Sequence, residues 1–303
     1  MNAALALGAY TLLVGFVAPF LLLRADWPHR APALALAVWH TLALSFALGT
    51  ALTAYHLFMP MEHAHEGLSG LLHSCGVDLG AGGPAPDTAE RLSVVLPATL
   101  GIALAGGFAF HVARARLTRT RHREAVDLVG RRSVRLGATV LPYDVPAAYC
   151  LPGRRPRIVV SEAAVRELAP EQLAAVLAHE RAHIAGRHHL ALAGAAAFRS
   201  VFPLLPLARQ VREQTALLLE MVADDRALRT HSEGALATAM YAMAAARTPE
   251  DAFAAGGRTA LVRMRRLLGP RTAPHPALRG AMAAATAVVP LMPLLVACPI
   301  GVG

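Results

Sequence analysis

The sequence contains no lysine; all 29 of its basic residues are arginine. Arginine codons are GC-rich, so this absence reflects codon composition and says nothing about function. Charge of either sign is scarce, at 16% of 303 residues, where soluble domains carry about 25%. Mean hydropathy is +0.44. The deficit excludes an ordinary soluble chain and points to a membrane. No basic residue precedes the first apolar run, which excludes the positive n-region of a cleaved signal peptide. No internal repeat is visible.

Long apolar runs are what the sequence has instead. Crossing a bilayer takes roughly 20 apolar residues, and four runs qualify: 3–23, 31–58, 92–110 and 280–303. His40 and His56 interrupt the second, and Pro290 and Pro293 lie in the fourth. The arginines set the expected orientation. Arg24 and Arg30 follow the first run, and Arg114, Arg116, Arg119, Arg121 and Arg123 follow the third. The connection at about 59–91 is acidic, with Glu62, Glu66, Asp78, Asp87 and Glu90 against Arg91. The N-terminus and this loop are therefore expected outside. Residues 1–112 would hold three transmembrane helices, 113–279 a cytosolic domain, and 280–303 the fourth span, in a multi-pass cell-membrane protein. The net charge of +9 is concentrated beside the membrane, where arginines meet anionic headgroups. The bilayer is thus the expected partner, and direct nucleic-acid binding is not expected.

Within 113–279 the pattern is mixed α+β. "AAYCL", "PGRRP" and "RIVVS" read as strand, turn and strand, since Pro152-Gly153 is a strong turn signal. Ser161 caps a short helix. Pro170 suits the first position of the next helix, with Glu171 in its positive first turn. Further helices are expected over about 207–228, after Ser232, and over "TALVRMRRLLG".

The helix opened by Pro170 carries "AVLAHERAHIAGRHH". His179 and His183 are four apart and share one helix face, so two imidazoles can hold one zinc while Glu180 reaches its bound water. With 14 histidines and 12 glutamates in the chain, H-E-x-x-H should arise by chance roughly 0.03 times. Catalytic zinc takes a third protein ligand and keeps a position for water. "LLLEMVADDRAL" offers Glu220, with Asp224 four residues on to orient an imidazole from behind. The apolar neighbours imply burial, where a carboxylate needs a partner.

"HERAH" followed by "EMVAD", the upstream "AAYCLPGRRPRIVVS", and three spans before with one after resemble the BlaR/MecR-type integral-membrane zinc metallopeptidases. The resemblance covers nearly the whole chain and is most specific over 147–226. It implies a gluzincin-type domain in which His179, His183 and Glu220 bind zinc, Glu180 is the general base and Asp224 supports from behind. It also implies cytosolic proteolysis in signalling, often of a winged-helix transcriptional repressor. The best-known members carry a penicillin-binding sensor domain after the fourth span; this sequence ends at Gly303, and beta-lactam sensing is not implied. HtpX and CAAX-prenyl membrane proteases share H-E-x-x-H with E-x-x-A-D and provide the alternative, processing or quality control. A metal-binding receptor without hydrolysis is a third reading, opposed by Glu180, which a structural zinc site has no need of.

Several residues stay open at this level. His231, Arg226, Tyr143 and His275 are all candidates to stabilise an oxyanion. Either the "AAYCL" or the "RIVVS" strand could pair with an extended substrate. His188 and His189 read as surface residues. "LALAGAAAF" is too short to span and is expected to dock against the spans or membrane. His56, Met59, Met61, His63, His65, His73 and Cys75 around the external loop would suit copper, with a plain polar loop as the simpler reading. Cys150 is expected to be reduced. Cys75 and Cys298 both face the oxidising side and could pair, unless each is simply unpaired.

Overall fold

The computed structural model describes residues 3–58, 87–245, 255–269 and 275–297. Met59, Met61, His63, His65, His73, Cys75 and Cys298 lie outside the described residues, and with them the copper loop and the proposed pairing.

The fold is mainly helical, with one small sheet. Helices α1 (Ala3–Arg24), α2 (Pro32–Phe58) and α3 (Thr88–Val129) are long and apolar enough to cross a membrane, as is the C-terminal segment Arg279–Ala297. Large apolar side chains such as Leu5, Phe20, Ile102 and Phe110 point outward from them. Water would penalise that surface and hydrocarbon would not. Proline shapes the C-terminal segment. It breaks into Pro276–Val288, a 3-10 turn at Val289–Leu291, and Met292–Ala297. Pro293 has no N–H to give the carbonyl of Val289. The Ser45 and Tyr10 hydroxyls donate to that oxygen at 2.9 and 3.2 Å, tying the break to α2 and α1.

Helix α3 runs well beyond the apolar stretch. An Asp87–Glu90 capping box starts it, and arginine, alanine and leucine, all good helix formers, carry it unbroken through the basic run. Its last turn buries Val126 against Leu151 and Val159 of the sheet. The sheet comprises β1 (Arg131–Ser133), β2 (Ala138–Leu141), β3 (Ala148–Leu151) and β4 (Arg157–Ser161), in the order β1-β2-β4-β3. Strand β4 runs parallel to β2 and antiparallel to β3. It is paired on both edges and covered on both faces, which explains the uninterrupted burial of Ile158, Val159 and Val160. Strand β3 has one free edge.

Ser161 accepts from the N–H of Ala164 and caps α4 (Glu162–Glu167). Helix α5 (Pro170–Ala185) has Pro170 in its first turn, and Gln172 accepts from the Ala169 N–H. Its apolar side, Leu173, Val176 and Leu177, packs on Ile158 and Val160. Then come α6 (His188–Val201), α7 (Pro206–Ala227), α8 (Glu233–Ala245, capped by Ser232) and α9 (Ala255–Leu268). The largest core joins α7 to the apolar helices: Leu207, Val211, Leu218 and Met221 pack with Trp39 and Phe46 of α2 and Phe198 of α6. Phe46 meets Phe198 and Phe202 edge-on at 6.1 and 5.1 Å, each contact contributing about 0.5–1.5 kcal/mol beyond area burial. Thr215 of α7 adds a polar contact to His40 of α2 at 3.2 Å. The segment "LALAGAAAF" thus lies in α6, docked between α3, α7 and α2.

Candidate active site and metal centre

Helices α5 and α7 cross with their histidine and carboxylate faces together. His179 Nε2 and His183 Nε2 are 3.1 Å apart. Glu220 brings Oε1 to 3.3 Å from His183 Nε2 and Oε2 to 3.5 Å from His179 Nε2. Zinc binds nitrogen and carboxylate oxygen at about 2.0–2.1 Å, so tetrahedral ligands stand about 3.3 Å from one another. The three observed separations fit that spacing, and the donor set, two imidazoles and a carboxylate, fits zinc chemically. Among the described residues this is the one group of three such side chains whose donor atoms converge.

Each candidate ligand is held from behind. His179 Nδ1 lies 3.0 Å from Asp224 Oδ1, although off the ring N–H direction. Behind His183 stands a side chain whose part the sequence did not reveal. His188 is buried, not on the surface, and its Nδ1 is 2.7 Å from His183 Nδ1. If His183 presents Nε2 to a metal, its Nδ1 carries the proton and donates it to His188. The turn is built for this contact. Arg187 takes a left-handed conformation, φ 49°, and a Cβ on Gly186 would sit 2.3 Å from His188 Nε2. Glycine at 186 followed by the reversal at 187 folds the ring back over the end of α5. A helical period does not relate His188 to His183, because α5 ends at Ala185.

Arg263 of α9 is the other residue missed. Its Nε and Nη2 donate to Asp224 at 2.8 and 2.7 Å, and its Nη1 donates to Glu220 Oε2 at 2.7 Å. The amphipathic pattern of "TALVRMRRLLG" signalled a helix but not which arginine turns inward.

The electrostatics follow from this packing. Burial opposes charge on both acids, yet His179 and Arg263 outweigh it and hold Glu220 and Asp224 down at about 2. Burial also works against a charged His179, but the Asp224 and Glu220 carboxylates overcome it and raise that imidazole to about 9. For His183 burial outweighs the nearby Glu220 carboxylate, and with His179 and Arg263 adding to the lowering it falls to about 4. Burial and then His183 and Arg226 lower His188 to about 4 as well, which keeps it a neutral acceptor. Glu180 is raised by its burial. Cys150, in contact with Glu180, is pushed up to about 12 by burial and then by that carboxylate, so it is a thiol.

The donors open on a cavity of about 540 Å³. Glu180 and Arg263 line it together with Leu219 and the methionines Met240 and Met243 of α8. Ala148 of β3 reaches the same cavity, whereas β4 is shut in by its neighbours. Of these two strands, "AAYCL" is therefore the one that offers a free edge beside the cavity. None of His231, Arg226, Tyr143 and His275 lines the cavity. Arg226 donates to the Ala182 carbonyl, and His275 caps the helix at Pro276–Val288. Arg263 is the cationic donor that faces the site.

The model of Peptidase family M48 matches residues 116–250, less than half of the chain but including the whole sheet, α5 and α7. Members of that family are zinc metalloproteases, and the convergent His-His-Glu group agrees. The segment is a zinc metalloprotease domain and zinc is its cofactor. The match does not single out the BlaR/MecR type. No curated protein and no solved structure matches the chain.

His188→Ala is expected to lower zinc affinity about 10–100-fold, the usual cost of losing a group that orients a ligand imidazole; competition with a chromophoric chelator measures it. Zinc needs neutral imidazoles. Because His179 is held protonated up to about pH 9 while His183 is already neutral above about pH 4, binding near neutrality should release about one proton. Zinc affinity should then climb tenfold per pH unit from about 7 and level off near 9. Calorimetry in buffers of different ionisation enthalpy reads the proton release.

Proposed function

We propose that the chain is a membrane-embedded zinc metalloendopeptidase that hydrolyses peptide bonds of a cytosolic protein. In this reading His179, His183 and Glu220 hold the zinc, Glu180 is the general base and Asp224 supports His179. The observation that carries it is the convergence of three zinc-type donors at 3.1–3.5 Å on a cavity that Glu180 also lines. Bound zinc supplies an acidified water and polarises the scissile carbonyl. Glu180, with its proton affinity raised by burial, takes a proton from the attacking water and hands it to the departing amine. An extended peptide pairs with the free edge of β3 and places a side chain in the cavity between Leu219, Met240 and Met243. Arg263, which donates to Glu220 and lines the cavity, is the candidate to stabilise the developing oxyanion.

The organisation that goes with this reading is three spans in 1–112, a cytosolic peptidase domain in 113–279 and a fourth span in 280–303. The arginines after the first and third apolar runs support the orientation. Cleavage of a winged-helix repressor follows from the likeness to BlaR/MecR peptidases. The M48 match is equally compatible with HtpX-like processing or quality control, and identification of the cleaved protein decides between them. A receptor that binds metal without hydrolysis is set aside by the metalloprotease match.

Glu180→Gln is expected to retain zinc and lose peptidase activity by about 10²–10⁴-fold, while Glu220→Ala loses the metal itself. Metal content by emission spectroscopy and cleavage of a casein or repressor substrate separate the two effects; equal zinc in wild type and Glu220→Ala would remove the third ligand. A reporter fused after Arg123 should behave as cytoplasmic and one near Gly82 as external, and the reverse result would move the active site across the membrane.

A further inference from the structure

Away from the zinc site, a second cleft of about 720 Å³ lies where the basic end of α3 meets the β3–β4 turn and the turn between α5 and α6. Arg116, Arg119, Arg123, Arg154, Arg187 and His189 line it, and no acidic residue does. Arg116, Arg119 and Arg123 follow one another at helical spacing, so α3 presents them on one face. The other cations come from two turns far apart in sequence.

Such a concentration of guanidinium groups is unfavourable without a counter-charge. None of the five arginines has a carboxylate partner among the described residues. Arg119 Nε and Arg123 Nε are moreover buried with no hydrogen-bond acceptor, and His189 Nδ1 is buried with no partner. A buried donor left unpaired costs about 1–3 kcal/mol. Two of them around one cleft, both on guanidiniums, point to an acceptor such as an anion. The fold also fixes part of the cleft in advance. Arg123 Nη2 donates to the Leu151 and Pro152 carbonyls at 3.3 and 2.7 Å. Gly153 has φ +149°, a backbone conformation that favours glycine, and Arg123 lies directly against it.

We propose that this cleft binds a phosphate group, held by the guanidiniums of Arg116, Arg119, Arg123, Arg154 and Arg187 with His189. Guanidinium forks match phosphate oxygens in geometry and charge. The phosphate has two possible sources, an anionic lipid headgroup or a soluble phosphate. Arg116 stands only about two helical turns beyond Phe110, the end of the apolar run, which places the cleft at headgroup depth in a chain oriented as above. Two of its walls also belong to the peptidase site: α5 carries His183 and the β3–β4 turn continues β3. An occupied cleft would therefore clamp both elements.

The test uses the full chain in nanodiscs of phosphatidylcholine, with or without phosphatidylglycerol, and in detergent with inorganic phosphate. Hydrogen exchange of the wild type is followed over 116–123, 152–154 and 187–190, with retained lipid read by native mass spectrometry. Slowed exchange with phosphatidylglycerol only assigns the cleft to a lipid headgroup. Slowed exchange with inorganic phosphate in detergent, unaffected by phosphatidylglycerol, assigns it to a soluble phosphate. Paired Arg119→Gln and Arg187→Gln should weaken the effective anion about 25-fold, roughly fivefold per guanidinium. Arg166→Gln, an exposed arginine on α4, should change it less than about twofold. Protection by neither probe overturns the proposal, and so does an equal loss in Arg166→Gln. The exchange measurement on the wild type stands by itself if the double variant does not fold.

Discussion

Everything at the zinc site depends on one crossing, that of α5 over α7. Two donors at i and i+4 on one helix fix a line and not a site; the third must arrive within about 3.3 Å from elsewhere. Glu220 does so because the opposite side of α7 is anchored. Leu207, Val211, Leu218 and Met221 are locked against Trp39 and Phe46 of α2 and Phe198 of α6, and α5 is pressed onto β4 through Val176 and Leu177. The apolar helices are thus part of the positioning machinery and not merely an anchor for a separate enzyme.

The same crossing brings together charges that would otherwise resist burial. Asp224 is almost wholly enclosed and Glu220 partly so, and Arg263 answers both with three hydrogen bonds. A buried carboxylate stripped of such a partner costs about 3–5 kcal/mol, so α9 closes the site as much by charge as by packing. Arg266, one turn on, pairs with Asp225 and donates to the His29 carbonyl between α1 and α2. One helix face therefore ties the peptidase centre to the connection between two apolar helices.

Histidine chemistry here is divided by neighbours and not by residue type. His179 faces Asp224 and Glu220 and is held charged; His183, with a neutral imidazole behind it, is not. A single ion between them would resolve the contrast, since both would then be neutral at Nε2, with His183 Nδ1 donating to His188 and Asp224 standing 3.0 Å behind His179 Nδ1. Asp224 and His188, one acid and one neutral base, would in that case give His179 and His183 unequal donor strength.

The sequence by itself determined the local parts: the apolar runs, the capped helix opening at Pro170, the shared face of His179 and His183, and the pairing of Glu220 with Asp224 on a second helix. These are periodicities, and a periodicity is a property of neighbours in the chain. It also placed "AAYCL" and "RIVVS" as strands, but not which has a free edge, since strand order is set by packing and not by composition. The extension of α3 to Val129 is not legible in hydropathy, because the end of an apolar run need not be the end of a helix. Tertiary structure alone decided that His188 turns inward, that Arg263 is the arginine of its helix that faces the carboxylates, and that five arginines from three segments surround one cleft. Each of those contacts joins residues through a turn of special geometry or across long stretches of chain, where no helical or strand period relates them.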